Sequence, residues 1–263
     1  MTGSDSLFAG SIPALYDRCL GPLLFVPYAR DIAARATALR PASILEIAAG
    51  TGIVTEALAA ALPEAEIVAT DLNQAMLDIA ATRGLPPTVR LRAADAQALP
   101  FPDASFDLAV CQFGAMFFPD RIGAYREAKR VLRPPHGRFL FSVWDRLTLN
   151  PVSEMLGDAV ASLFPDDPPV FYRRIPFGYH DLARIEADLR AAGFREIAVE
   201  TVKLSSRVDA RAAARGLCQG SPMRTEIEAL GGDLVAVEAA AFAALAPVDG
   251  KEMPMSAHVV SAG

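Results

Sequence analysis

Ile44-Leu45-Glu46-Ile47-Ala48-Ala49-Gly50-Thr51-Gly52-Ile53-Val54-Thr55-Glu56 decides how the rest of the 263-residue chain is read. Ile44 to Ile47 is apolar and β-prone, whereas Ile53, Ala57, Leu58, Ala61 and Leu62 recur at helical spacing until Pro63. A buried strand therefore runs through a glycine turn into a helix. Gly50 and Gly52 permit positive φ and leave no Cβ in the way, so a ligand can come close to the backbone. The unpaired N–H groups at the start of the helix face the same spot. The stretch reads as a cradle for a nucleotide-like molecule.

Outward from this turn, strands and helices alternate. The patterns predict strand 43–48, helix 52–62, strand 66–70, helix 73–83, strands 88–93 and 106–112, helix 120–132 and strand 137–144. This is the signature of a parallel α/β sheet with helices on both faces. Ligands of such sheets lie beyond the carboxyl ends of the strands. Before the sheet, Ile12–Leu20 and Pro27–Leu39 read as two helices around a turn at Gly21-Pro22. Their aromatics Phe8, Tyr16, Phe25 and Tyr28 serve either as a cover for the ligand or as ordinary packing.

Two strand ends carry acids. Asp71 lies about twenty residues past the glycines, the interval at which a carboxylate accepts from ribose hydroxyls; the other reading makes it a helix N-cap, a role Asn73 can also fill. Asp95, followed by Ala96, ends the next strand, where a carboxylate can accept from an exocyclic amine. Gln112 and Phe113 end the fourth. Thr55 stands where a dinucleotide fingerprint wants its third glycine, which disfavours a nicotinamide cofactor and an oxidoreductase.

The totals narrow the class further. With 52% hydrophobic residues the chain can bury a large core, and a net charge of −6 without a dense basic stripe argues against a nucleic-acid partner. Three widely spaced cysteines suggest neither a disulfide framework nor a zinc site. No apolar run reaches the ~18 residues of a membrane helix, and Met1 to Gly10 lacks a signal-peptide pattern. The expectation is a soluble, cytoplasmic protein, bacterial by its arginine- and alanine-rich composition, acting as a monomer or homodimer with no membrane partner.

The ordered motifs ILEIAAGTG, ATDLNQAML, RAADAQALPFPDASFDLAVCQFG and AKRVLRPPHGRFLFSVW resemble the class I S-adenosylmethionine-dependent methyltransferases of the small-molecule branch. The likeness is close over about residues 30–145 and looser beyond. It implies a Rossmann-like, seven-stranded, mostly parallel sheet, with 253–261 as an antiparallel last strand inserted between the fifth and sixth. Residues 1–40 become a helical lead-in and 41–263 the methyltransferase domain, with lid insertions at about 150–180 and 203–250. Within the insertions the patterns place a helix and a proline-rich crossing at 150–176, a helix at 181–192, a strand at 196–202 and broken helices over 209–246.

Carried over residue by residue, the resemblance assigns S-adenosylmethionine to Glu46, Ala48, Gly50, Gly52, Asp71, Leu72, Met76, Asp95, Ala96, Gln112 and Phe113, with Tyr16 and Tyr28 above. Ala48 replaces the family's first turn glycine, and the expectation is that alanine is tolerated there only with negative φ and room left for the ligand; a site weakened by Ala48 would favour the alternative of a catalytically silent cofactor-binding protein. His136 falls in a loop away from the mouth and reads as structural. Phe117, Phe118, Phe171, Tyr172, Phe177, Tyr179 and Met223 are read as lining an apolar pocket for a small acceptor, or as core. Methyl transfer requires neither a protein nucleophile nor a metal. His180 is the candidate base for a hydroxyl acceptor, its other reading being a hydrogen bond beside the helix start at Asp181.

Overall fold

The computed structural model describes Gly10 and residues 12–263, so Phe8 lies outside the described residues. Its centre is a seven-stranded sheet in the order β3-β2-β1-β4-β5-β7-β6. In chain order the strands are β1 (Ser43–Ile47), β2 (Glu66–Asp71), β3 (Val89–Ala93), β4 (Leu108–Gln112), β5 (Arg138–Trp144), β6 (Ile197–Arg207) and β7 (Glu252–Ala262). The first five are parallel, and β7 runs antiparallel between β5 and β6. The two most central strands are also the most apolar, since Ile44, Leu45, Leu108, Ala109, Val110 and Cys111 expose nothing. Burial on both faces requires that composition.

The helices are α1 (Ile12–Leu15), α2 (Val26–Leu39), α3 (Ile53–Ala61), α4 (Gln74–Ala80), α5 (Arg121–Val131), α6 (Pro151–Ala161), α7 (Phe171–Arg174), α8 (Leu182–Ala191), α9 (Ala210–Gln219), α10 (Met223–Ala229) and α11 (Leu234–Leu245). Asp120, Asp181, Asp209 and Asp233 each accept from a backbone N–H two or three residues on, fixing the starts of α5, α8, α9 and α11. The excursion between β6 and β7 leaves from the carboxyl edge of the sheet. Its α9 packs on the N-terminal segment, and α11 packs on α9 and α6.

Two expectations are corrected. No turn forms at Gly21-Pro22; Tyr16–Phe25 is a continuous π-helical segment joining α1 to α2. Its buried Leu20, Leu23, Leu24 and Phe25 hold it against the core, and Gly21 makes room, since a Cβ there would meet Ile53 Cδ1 at 3.0 Å. The sixth strand also runs on to Arg207, because β7 pairs with it along its whole length, from Ile197 opposite Ala262 to Arg207 opposite Glu252. Among the described residues no helix is long and apolar enough to cross a membrane.

Candidate functional site

Strand order reverses between β1 and β4, and the turn after β1 sits at that opening. Gly50 has φ +57 and Gly52, the N-cap of α3, φ +82. Ala48 is left-handed as well, at φ +56, which overturns the expectation of negative φ. The hydrogen bonds on either side explain why: Ala49 N–H donates to Thr70 O and Gly50 N–H to Asp71 Oδ2, both at 2.8 Å, so the chain has to bend at Ala48. Room for its methyl comes from β4, because a Cβ on Gly114 would lie 2.5 Å from Ala48 Cβ. Phe113 beside it is also left-handed, at φ +53. Two non-glycine residues in this region at one strand crossing form a cluster of backbone strain of the kind found at ligand sites.

The acids occupy different depths. Glu46 is buried and accepts from Thr55 Oγ1 at 2.6 Å; burial pushes its carboxyl up to about 8 against the opposing pull of that hydroxyl. Asp71, 7% exposed, also lies above the ordinary carboxylate range through burial, although the N–H groups of Asn73 and Gly50 lower it. It is not the helix N-cap; it ties the end of β2 to the glycine turn, while Asn73 takes the N-cap position of α4 without a side-chain bond. Asp95 accepts from Gln97 N–H at 2.9 Å. Gln112 Nε2 donates to Phe25 O at 3.1 Å, leaving its Oε1 buried without a partner.

These groups surround one cleft, enclosing about 840 Å³ including its mouth. Tyr16, Ala48, Gly50, Asp71, Leu72, Met76, Asp95, Ala96, Gln112, Phe113, Phe117 and Phe118 line it; the sequence assigned the first ten to the cofactor and the last two to the acceptor side. Asn73, Ala94, Gln97, Gly114 and Pro119 complete the wall. Leu72 stays 61% exposed, an apolar edge at the rim. A smaller recess of about 340 Å³ runs inward past Tyr16, Ala48, Gly50 and Gln112 to Glu46 and Thr51. There the orphaned oxygens Gln112 Oε1 and Thr51 Oγ1 stand near the raised Glu46 carboxyl. Unspent acceptors beside a buried acid suit a cationic amine, and two acids flanking apolar surface in the wider cleft suit a nucleoside. The residues present therefore fit S-adenosylmethionine, whose amino-acid and adenosine ends have these characters.

A third cavity, of about 480 Å³, adjoins the cleft and shares Tyr16, Phe113 and Phe117 with it. Phe171, Tyr172 and Phe177 line it as expected; Leu20, Leu24, Phe25, Met116, Trp144, Ser153, Pro176, Leu217, Ser221 and Pro222 do so as well. Trp144 stacks on Phe113 with ring centres 3.9 Å apart.

Five residues are not brought to these walls. Gly52 turns toward α4, where a Cβ would meet Ala80 Cβ at 2.8 Å. Tyr28 is core: its hydroxyl donates to Val202 O and its ring meets Phe113 and Trp144 edge-on. Tyr179 is spent on Asp188 and on the Arg121 guanidinium over its ring. Met223 is buried at the start of α10. His180 hydrogen-bonds Phe177 O through Nδ1 at 2.8 Å and is not among the residues lining the cleft, the recess or the third cavity; it lies near the buried Asp145–His258 pair. His136 stays in the exposed loop before β5.

Comparison with known proteins agrees with this geometry. A family model described as a methyltransferase domain matches residues 44–135. Demethylmenaquinone methyltransferase of Deinococcus radiodurans is 32% identical over 208 residues, 73% of this chain and 84% of that protein. The ubiquinone/menaquinone biosynthesis C-methyltransferase UbiE of Hahella chejuensis is 38% identical over 116 residues, 42% of this chain and 46% of that protein. Among solved structures, YcgJ of Bacillus subtilis has a TM-score of 0.57 at 20% identity, over 88% of this chain and 97% of that one, and so shares the fold.

Proposed function

The chain belongs to the class I S-adenosylmethionine-dependent methyltransferases, and from that premise we propose that its acceptor is an apolar, ring-bearing small molecule of the quinone class. It is an S-adenosylmethionine-dependent enzyme of small-molecule methylation. The quinone-class acceptor rests on the relatives' names and on one observation. The cofactor cleft shares Tyr16, Phe113 and Phe117 with a cavity whose walls, among the described residues, carry no carboxylate, imidazole, amine or guanidinium. Such a cavity selects for apolar shape, and its phenylalanines with Trp144 offer flat faces to a ring.

When bound, S-adenosylmethionine supplies a methyl carbon activated by the neighbouring sulfonium. In our reading Glu46, Gln112 and Thr51 hold the amino-acid end, Asp71 the ribose, and Asp95 with Ala96 the adenine amine, packed by Leu72, Met76 and Phe118. The chain's task is alignment in a water-poor space, a contribution of about 7–11 kcal/mol to barrier lowering. With no base among the described residues of the wall, the acceptor in this reading enters with its nucleophile already formed, as an acidic enol or phenol can at neutral pH. We assign residues 1–40 as lead-in and 41–263 as the catalytic domain, with 150–180 and 203–250 building the acceptor side.

The test is a paired thermal shift followed by turnover. S-adenosylhomocysteine at about a hundred times its Kd stabilises by about 2.7 kcal/mol, whereas NAD does not shift the transition. Labelled methyl from S-adenosylmethionine then appears in reduced naphthoquinones. Equal shifts with both cofactors, or no label in any ring acceptor, overturn the proposal.

A further inference from the structure

The acceptor cavity is apolar, yet two of its polar hydrogens are not spent inside the protein. Ser153 lies in α6, is 4% exposed and lines the cavity, and its Oγ has no hydrogen-bond partner among the described residues. A buried helical serine ordinarily bonds back to the preceding turn or to a neighbour. Trp144, 4% exposed in the same lining, carries an indole N–H that likewise meets no acceptor among the described residues. Buried tryptophans usually find one.

The neighbouring polar groups are already engaged. Tyr172 OH donates to Leu217 O at 3.0 Å, and Ser221 Oγ donates to the same carbonyl at 2.7 Å. Asn150, one turn before Ser153, spends its amide on Arg146 O, Ser256 O and Ser256 N–H. Tyr16, which lines the same cavity, is not free either, and what the described wall still offers is therefore a pair of donors, one of which, the indole, cannot accept.

We infer that Ser153 Oγ–H and Trp144 Nε1–H recognise an oxygen of the acceptor, so that the substrate class is a ring bearing a carbonyl, enolate or phenolate oxygen. The inference rests on the third cavity being the acceptor site. It also accounts for the missing base. An acceptor whose nucleophile is conjugated to an oxyanion needs that charge held by donors, and an uncharged hydroxyl and indole hold it without adding a competing ionisable group. A plain hydrocarbon ring would leave both donors unpaired, and the cavity would discriminate against it.

Two probes of the same shape separate recognition from packing: 1-tetralone, which carries one carbonyl, and tetralin, which carries none. Binding is measured by calorimetry with S-adenosylhomocysteine saturating, and entry into this cavity is reported by the emission of Trp144, the chain's single tryptophan. Ser153→Ala keeps a good helix former in α6, and Trp144→Phe keeps a ring on Phe113. Each variant is expected to weaken 1-tetralone about tenfold, the scale of one lost hydrogen bond, and tetralin less than about twofold. Equal weakening of both probes, or no change in either, overturns the donor assignment while leaving the acceptor cavity in place. If neither probe binds the wild-type chain or alters Trp144 emission, the acceptor reading falls and the inference falls with it.

Discussion

Ala48 and Gly114 are coupled by a distance short enough to test directly. Gly114 has φ −97 and ψ −36, a conformation in which alanine is at ease, so backbone considerations alone make Gly114→Ala stabilising by about 0.4–1 kcal/mol. The added carbon would lie 2.5 Å from Ala48 Cβ and 2.8 Å from Cys111 Sγ. Overpacking of that kind costs about 1–3 kcal/mol, so the net expectation is a loss of about 1–2 kcal/mol, or about 2–4 °C in a chain of this size. Ala48→Gly alone relieves a left-handed alanine by about 1–2 kcal/mol. Glycine's extra unfolded-state freedom returns about 0.5–1 kcal/mol, and the partly buried methyl at most about 0.8 kcal/mol. That variant should stay within about 1 kcal/mol of wild type. In its background Gly114→Ala meets only Cys111 Sγ, and its cost should shrink by about 1–2 kcal/mol. Urea unfolding of the four proteins gives this coupling energy. A Gly114→Ala cost that is the same in both backgrounds would refute the claim that Gly114 makes room for Ala48.

The two turn glycines should part company. Gly50→Val puts a branched side chain at φ +57 in the cleft wall and abolishes S-adenosylhomocysteine binding, whereas Gly52→Ala, whose Cβ would meet Ala80 at 2.8 Å, lowers stability by about 2–3 kcal/mol without facing the ligand; calorimetry beside thermal melts tells them apart. Asp71→Asn can no longer accept from both Gly50 and Asn73 N–H, and cofactor affinity should fall by about ten- to a hundredfold in calorimetric titration. Between pH 4.5 and about 8 the folded cofactor-free protein holds a proton on Glu46 that the unfolded chain has released, so stability falls as pH rises through that window. Glu46→Gln should flatten the slope in urea melts taken across it, and an unchanged slope would assign the titration to another group. His180→Gln, away from the lining of the cavity, should change kcat less than about threefold in steady-state assays.

The sheet was legible because β1, β2 and β4 are largely apolar runs that lead into a glycine turn, an acid and an amide respectively, and because strand-end chemistry points to one edge whatever the packing around it. Asp71, Asp95 and Gln112 came from that logic. Ala48's backbone was misjudged because its left-handed turn depends on Thr70 O and Asp71, which are distant in sequence, and on the space over Gly114. Gly52 looked like a ligand glycine because spacing cannot show that α4 crosses in front of it. The aromatics divided along similar lines. Phe171 and Phe177 reach the cavity while Tyr28 and Tyr179 are buried elsewhere, and nothing local distinguishes them. Ser153 lies in no motif, and Trp144 closes the motif AKRVLRPPHGRFLFSVW without any sign of its role there; the cavity reveals that their hydrogens are unspent among the described residues. The π-helical course of Tyr16–Phe25 hides behind a Gly-Pro pair that ordinarily marks a turn.

The two cavities also divide along the chain. The cleft draws on residues from Ala48 to Pro119 with Tyr16 added, whereas the acceptor cavity takes most of its wall from Leu20–Phe25, Trp144–Phe177 and Leu217–Pro222. These segments are contributed by the lead-in, the crossing after β5 and the excursion before β7; the cavity shares Tyr16, Phe113 and Phe117 with the cleft, and Tyr16 and Phe25 with the inner recess. Acceptor preference is thus a transplantable trait. Chimeras that exchange the three segments between relatives as a set, with Tyr16, Phe25, Phe113 and Phe117 matched, should change what is methylated while leaving the donor half untouched.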